Sequence, residues 1–319
     1  MEVQGASHGA PSARWITALA LLCAPAWADE VGSVNRSPAG IAVAPAPATG
    51  DTGRLLAGHA YFRSALLNSP FVTPSVQLQV EGASATTRVS GAEADLKSSG
   101  VSPSLTLQAD LWGAGLELYA GLAAIAGSDS YSALVQGANL MTSFSATVKV
   151  PALRRGRWIL SPFFTAARIN QSSFSPLNAA AQAILTKAAS ASFLATSTTT
   201  QLQPGLATAW TLGPSLGVTA ELSRVFAATT QGTTSQDDGV WRAGLGVSAL
   251  LQGLVGVPVG MTLSARNDWN VRAGASSSPI LGVGLVEASR RNFNFGLEAT
   301  RLMAETPSLS FIVSMAYYY

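Results

Sequence analysis

The chain has 319 residues, of which 48% are hydrophobic and 11% are charged, and its formal net charge at pH 7 is +2. Soluble globular domains carry about 25% charged residues, so this composition argues against an ordinary water-soluble domain. The small net charge gives no support for nucleic-acid binding, which depends on a strongly basic surface.

Residues 1–28 have the features of a secretory signal peptide. Arg14 precedes an apolar run over residues 15–24, and a small-residue triplet at 26–28 provides a cleavage site at its end. The run is too short for a transmembrane helix, which needs about 20 residues. Cleavage would remove Cys23, the only cysteine, so we expect an exported chain without disulfides or thiol chemistry.

The rest of the chain contains no other apolar run that approaches the length of a transmembrane helix. Lipid admits one other spanning structure, the closed β-barrel, because only helices and closed barrels satisfy every backbone N–H and C=O group internally. A barrel strand needs about 9 to 11 residues whose side chains alternate between lipid and lumen. We therefore expect the membrane-spanning strands to lie in segments that alternate apolar and polar residues.

An N-terminal region over residues 29–71 precedes the first alternating segment. Residues 29–53 are rich in Pro, Gly and Ala, which predicts a flexible periplasmic tail. Residues 54–70 predict a short helix that ends at Asn68, before a proline. The sequence leaves two places open for this helix: the lumen, as a plug, or the periplasmic rim of the barrel.

Twelve segments between residues 72 and 319 alternate apolar and polar residues. In one of them Leu105 and Leu107 share a face, and Thr106 and Gln108 share the other. This pattern predicts an all-β fold, a transmembrane antiparallel up-and-down β-barrel over residues 72–319. The predicted strands are 72–83, 101–112, 115–126, 138–150, 157–169, 199–212, 215–226, 239–250, 258–269, 278–289, 293–303 and 308–319.

The links between these strands alternate in length. Short links follow every even-numbered strand, which is typical of periplasmic turns, and longer links follow most of the odd-numbered ones. The longest link runs from Asn170 to Thr198, and Ser175 and Pro176 begin a predicted helix within it. This helix could cover the mouth of the barrel, enter the pore, or pack on neighbouring loops or lipid headgroups.

Five tryptophans lie near predicted strand ends, where barrels carry aromatic girdles at the two membrane interfaces. The alternative is that tryptophans beside turns are common in any β protein. They are Trp112, Trp158, Trp210, Trp241 and Trp269.

The last strand has an apolar face that reaches the final residue of the chain. The residues of this face are Phe311, Val313, Met315, Tyr317 and Tyr319. It resembles the terminal strand of Gram-negative outer-membrane β-barrels, the porin-like superfamily, without features of a particular subfamily. The resemblance implies an outer-membrane location, pairing of this strand with the first one, and recognition by the barrel-assembly machinery. The competing interpretation, a soluble β-sandwich or adhesin, would need more charge on the polar face.

Alternation also assigns seven charged side chains to the lumen. Rings of charge select solutes in pores, whereas in a narrow barrel acids and bases pair and fill the interior. Twelve strands lie between the eight that leave a filled interior and the sixteen that leave an open channel. We expect a narrow channel for passive passage of small solutes; the alternative is a non-conducting structural or surface-interaction barrel. The seven residues are Asp110, Glu117, Lys149, Glu221, Arg242, Arg266 and Glu298.

The sequence predicts no enzyme, no cofactor and no metal site. His59 is the only histidine after residue 28, and it precedes the first strand, so no general base is placed on the barrel. Asp237 and Asp238 form a loop turn that could hold a cation only loosely. The roughly 45 residues between the predicted cleavage site and the first strand are too few for an autotransporter passenger domain.

Overall fold

The computed structural model describes residues 54–88, 95–177, 180, 184, 194–231, 234–252, 256–270, 277–287, 292–304 and 307–319. The predicted signal peptide and the predicted tail over 29–53 lie outside these ranges. Within them, no helix is long and apolar enough to cross a membrane.

Twelve long strands form a closed antiparallel β-barrel in chain order, which confirms the predicted fold. They are β3 (Ser75–Arg88), β4 (Asp95–Leu111), β5 (Ala114–Gly127), β6 (Ala138–Lys149), β8 (Trp158–Phe174), β9 (Leu194–Gly213), β10 (Leu216–Gln231), β11 (Thr234–Leu250), β12 (Val259–Asn270), β13 (Ser277–Glu287), β14 (Phe293–Leu302) and β15 (Ser308–Tyr318). Three short strands, β1 (Leu55–Leu56), β2 (His59–Ala60) and β7 (Leu153–Arg155), and the helix α1 (Ser130–Gln136) accompany them.

The barrel closes because its first and last long strands pair with each other. β15 is hydrogen-bonded to β3 over eleven residue pairs, from Ser308 opposite Ala85 to Tyr318 opposite Ser75. Following the paired residues once around the barrel from Trp158 on β8 leads back to Ser172 on the same strand, 14 residues further along. This stagger corresponds to a strand tilt of about 40°.

Side chains alternate across the barrel wall as the sequence predicts. On β3 the outward Leu78 is 44% exposed, whereas the inward Gln77 is buried. The outer surface is apolar because lipid offers no hydrogen-bond partners, and the inner surface is rich in Ser, Thr, Gln and Gly. The apolar face of the C-terminal strand points outward along its whole length, from Phe311 to Tyr319.

Tryptophans mark two levels on the outer surface. Trp158 pairs with Trp210 at the periplasmic ends of β8 and β9, and Trp241 pairs with Trp269 towards the external ends of β11 and β12. Trp112 stands fully exposed in the two-residue turn between β4 and β5. These positions agree with interfacial girdles.

Several strands extend further towards the external end of the barrel than the sequence predicts. β9 begins at Leu194, five residues before its predicted start, and β8 ends at Phe174, five residues beyond its predicted end. The extended parts are rich in Ser and Thr on both faces, so they lack the alternation that lipid imposes. Of the helix predicted in the longest loop, residues 176, 177, 180 and 184 are helical, and the others lie outside the described ranges.

The helix predicted over residues 54–70 is wrong. β1 and β2 form a two-stranded hairpin whose turn uses positive φ angles at Ala57 (47°) and Gly58 (83°), and residues 61–74 then follow an irregular path. A left-handed turn of this kind interrupts the helical spacing of the apolar residues around it. The apolar side chains instead enter pockets on the inner wall of the barrel.

Candidate functional site: the segment inside the lumen

Residues 54–74, here called the luminal segment, lie inside the barrel. Their side chains and backbone contact inward-facing residues of β4, β5, β6 and β8 to β14. The hairpin sits at the periplasmic end, where the carbonyl oxygen of Leu55 accepts a hydrogen bond from Arg154 of β7. Of the two places left open by the sequence, the structure shows the lumen.

Inward glycines make room for two aromatic rings of the segment. A Cβ atom on Gly217 of β10 would lie 2.5 Å from the hydroxyl oxygen of Tyr61, and a Cβ on Gly260 of β12 would overlap the ring of Phe62. The Tyr61 hydroxyl is also 2.9 Å from that of Thr211. Since a side chain at either glycine would displace a rigid ring, these positions are shaped for the segment.

Leucines occupy a second group of glycine pockets. A Cβ on Gly246 of β11 would lie 2.8 Å from Leu67, and one on Gly282 of β13 would lie 3.0 Å from Leu66. The cavity left between the segment and the wall at β10 to β12 measures only about 20 Å³. That volume is close to the space one water molecule needs, so the segment fills this side of the lumen.

Two wall carboxylates hold the backbone of the segment. Glu298 of β14 accepts hydrogen bonds from the Ala65 amide at 2.8 Å and the Ser64 hydroxyl at 3.0 Å. Glu221 of β10 accepts from the backbone amide of Asn68 at 2.8 Å and from its side-chain amide at 3.1 Å. Hydrogen bonds to ionised acceptors are about twice as strong as neutral ones, so these contacts anchor an otherwise irregular chain.

Wall donors satisfy consecutive carbonyl groups of the segment. Lys149 of β6 donates to the carbonyl oxygen of Ser69 at 3.2 Å, and Ser161 of β8 donates to that of Pro70 at 2.6 Å. Gln108 of β4 donates to the carbonyl of the next residue, Phe71, at 3.2 Å. The irregular backbone of the segment has no neighbouring strand to bond with, so side chains of the wall provide its hydrogen-bond partners.

An ion-pair cluster links the segment to the opposite wall. Glu117 of β5 lies 2.6 Å from the Arg63 guanidinium and 3.2 Å from the Lys149 ammonium group. Lys149 is almost fully buried, so its charge depends on this carboxylate. Arg63 is thereby held against β5 while the following residues reach β12 and β14.

At the periplasmic end, His59 is completely buried. Its Nδ1 lies 3.2 Å from the carbonyl oxygen of Pro214 in the β9–β10 turn, and its Nε2 lies 3.3 Å from the Ser248 hydroxyl. Burial lowers the pKa of His59 below its usual value, and the Pro214 carbonyl partly offsets this shift. The docked segment therefore favours the neutral imidazole.

A second charged cluster lies further towards the external end of the barrel. Arg242 of β11 makes two hydrogen bonds of 3.0 Å to the carboxylate of Asp268 on β12. The Nε atom of Arg266 is 3.2 Å from the same carboxylate, and its Nη1 donates to the Leu66 carbonyl at 3.4 Å. This cluster borders the segment on the external side.

Six of the seven side chains assigned to the lumen by alternation therefore lie around the segment or next to it. Asp110 does not: it is exposed at the end of β4 and accepts a hydrogen bond from the Gly113 amide in the turn. Sequence reasoning missed Asp268, although it shares the inward parity of Arg266. It also missed the luminal role of Arg63 and Asn68, which no strand pattern marks.

Within the described ranges, no group of three or more His, Cys, Asp or Glu side chains is placed to hold a metal ion. Hydrogen bonds to the backbone, glycine pockets and ion pairs therefore hold the luminal segment inside the barrel.

Comparison with known proteins identifies the fold. The translocator domain of the autotransporter NalP from Neisseria meningitidis is similar, with a TM-score of 0.52 and 14% sequence identity, over 77% of this chain and 88% of that one. The β-domain of the Bordetella autotransporter Brka has a TM-score of 0.47 and 13% identity, over 77% and 100% of the two chains. The KdgM porin has a TM-score of 0.43 and 7% identity, over 77% and 99%.

No protein-family model matches the chain, and no curated protein matches it in sequence. The closed twelve-stranded sheet and the likeness to NalP nevertheless define the class: the chain has the fold of Gram-negative outer-membrane β-barrels. This fold supports an outer-membrane location. The likeness is one of fold and defines no subfamily.

Filling the glycine pockets is expected to expel the luminal segment. In the double variant Gly217→Leu/Gly260→Leu the new side chains occupy the space of Tyr61 and Phe62, so trypsin should cleave after Arg63 at least about tenfold faster than in the wild type. The matched control is Gly82→Leu, where a Cβ meets nothing. Equal cleavage rates in all three proteins would contradict the docked position.

Acidification is expected to weaken docking through His59. Because docking lowers the His59 pKa, the undocked segment binds the proton more tightly, and docking free energy is lost as the pH falls below the ordinary value of 6.5. An NMR titration of this imidazole should give a pKa below 6.5 in the wild type and a value near 6.5 in Gly217→Leu/Gly260→Leu. The same pKa in both proteins would refute the coupling.

Proposed function

We propose that the protein is an outer-membrane channel for the passive passage of small solutes, and that the luminal segment closes it. One observation carries the proposal: the segment is not part of the wall, and its backbone is held by side chains of Glu221, Glu298, Lys149 and Ser161. Water and ions can replace such contacts when the segment moves. The proposal involves no catalytic step and no cofactor.

The charged cluster beyond the segment supports a selective path. Arg242, Arg266 and Asp268 face the lumen on adjacent strands, so a solute that entered from outside would meet them before it reached the segment. Two cations and one anion leave a local excess of positive charge. Fixed charge in a narrow pore filters solutes by sign.

A specific observation favours the alternative, a non-conducting barrel. The cavity between segment and wall at β10 to β12 is only about 20 Å³, which leaves no solute-sized path on that side. If the segment never moves, the lumen serves as a filled core, and the barrel acts as a structural or surface-interaction protein. The two functions therefore differ in whether the segment leaves its pockets in the wild-type protein.

A reversible disulfide tests this difference directly. The hydroxyl oxygens of Ser64 and Ser264 are 3.0 Å apart, so the pair Ser64→Cys/Ser264→Cys should form a disulfide that locks the segment to β12. In planar bilayers we expect discrete conductance steps from the wild type and the reduced variant. The oxidised variant should conduct at least about tenfold less, because its segment cannot leave.

The controls are the two single-cysteine variants, which cannot form the internal bridge. Silence of the wild type and of the reduced double variant would reject the channel and favour the structural barrel. Equal conductance of the oxidised and reduced forms would reject the segment as the element that closes it.

Charge reversal in the external cluster is expected to change ion selectivity. Arg242→Glu or Arg266→Glu turns the local excess of positive charge into negative charge, so the preference for cations over anions should rise about threefold or more. Reversal potentials in a salt gradient measure this preference. Arg155→Glu, on exposed β7, is the matched control. Unchanged selectivity in both lumen variants would remove these residues from the path.

A further inference from the structure

Three arginines lie on the outer face of the barrel, where the neighbouring side chains are apolar. They are Arg168 on β8, Arg224 on β10 and Arg301 on β14, and each shares the outward parity of its strand. Arg168 pairs across the sheet with Phe144, and Arg301 with Leu281 and Leu309. An outward arginine in such surroundings faces lipid and not the solvent of the lumen.

The strand register places all three at similar heights. Arg168 is ten residues beyond Trp158, and Arg224 is six residues beyond Val218, the partner of Trp210. With about 3.3 Å per residue, a tilt of about 40° and a rise of about 3 Å from each strand to the next along a row of paired residues, Arg168 lies about 25 Å and Arg224 about 21 Å above Trp158. The same register gives about 23 Å for Arg301, five strands further around the barrel from β9.

This height is that of the external membrane interface. Trp241 pairs directly with Arg224, so the upper tryptophan level lies beside the arginines. The apolar band of a bacterial barrel is about 25 Å tall, and the arginines therefore stand near its external edge. The cost of a charged side chain on the lipid face is smallest there.

Contacts within the described ranges do not neutralise these charges. The Arg224 guanidinium carbon lies 4.6 Å from the Phe226 ring centroid and 5.5 Å from that of Trp241, and its Nε atom has no hydrogen-bond partner. No carboxylate among the described residues forms an ion pair with Arg168, Arg224 or Arg301. The aromatic rings orient the guanidinium group at the level of the lipid headgroups.

We propose that Arg168, Arg224 and Arg301 form an arginine belt that binds phosphate groups of lipid headgroups in the external leaflet. A guanidinium group donates to phosphate oxygens in a bidentate geometry, and anions of this kind are concentrated at the height of the belt. The arginines lie on separate strands around the wall, so the belt contacts several lipids. This proposal rests on the barrel and its orientation, and it is independent of conduction through the lumen.

Lipid binding to the purified barrel tests the belt. The probe is bisphosphorylated lipid A, titrated onto the detergent-solubilised protein and followed by native mass spectrometry, with enzymatically dephosphorylated lipid A as the comparison lipid. Each arginine removed should weaken binding about fivefold, so Arg168→Gln/Arg224→Gln/Arg301→Gln should bind the phosphorylated lipid on the order of 100-fold less tightly. The dephosphorylated lipid should bind weakly and equally to both proteins.

A matched control removes three positive charges elsewhere. Lys97, Arg155 and Arg157 lie far from the belt, beyond the external edge or at the periplasmic link, so their replacement by Gln should leave lipid binding within about twofold of wild type. Heat-modifiable gel mobility verifies that each variant is a folded barrel. Full retention of phosphorylated lipid by the belt variant, or equal loss in the control variant, would overturn the proposal.

Discussion

The structure depends on satisfying backbone hydrogen-bonding groups where water cannot do so. The wall meets this constraint by closing: β15 pairs with β3, and every long strand has two neighbours. The luminal segment cannot use a ladder, because its path is irregular. Its amides and carbonyls are bonded by Glu298, Glu221, Lys149, Ser161 and Gln108 instead. The inner wall is therefore complementary to one specific stretch of chain.

This complementarity joins shape with charge. Glycines on the inner face of β10 to β13 leave space for the side chains of Tyr61, Phe62 and Leu67. On the opposite side of the lumen, an ion pair joins Arg63 of the segment to Glu117 of β5. Breaking either feature alone would leave a buried charge or an empty pocket, so the contacts support one another. The proposed channel requires in addition that the segment can separate from the wall.

Sequence alternation predicted the barrel well because lipid acts on every second residue. Beyond the lipid the alternation of apolar and polar residues is lost. The external ends of β8 and β9 are rich in Ser and Thr, so alternation could not predict where these strands end and begin. The same rule assigned Glu117 and Lys149 to the inner face, but it could not show that they contact the N-terminal region.

The luminal segment itself was not predictable from local pattern. The apolar residues around Tyr61 and Leu66 have helical spacing, yet their pockets are supplied by residues more than 150 positions away. The inward glycines at 217, 244, 246, 260 and 282 were the available signal, since a barrel lined with glycine leaves space that something must fill. Tertiary packing overrode helix propensity here.

Hydrogen exchange at the backbone amides of Ala65 and Asn68 tests the central claim most directly. Both groups donate to carboxylates of the inner wall and belong to no strand or helix. If the inner wall holds the segment as described, these amides exchange at least about 100-fold more slowly than an unstructured chain in the membrane-embedded protein. Exchange at the unstructured rate, with the strand amides still protected, would show that the segment is not held by the wall.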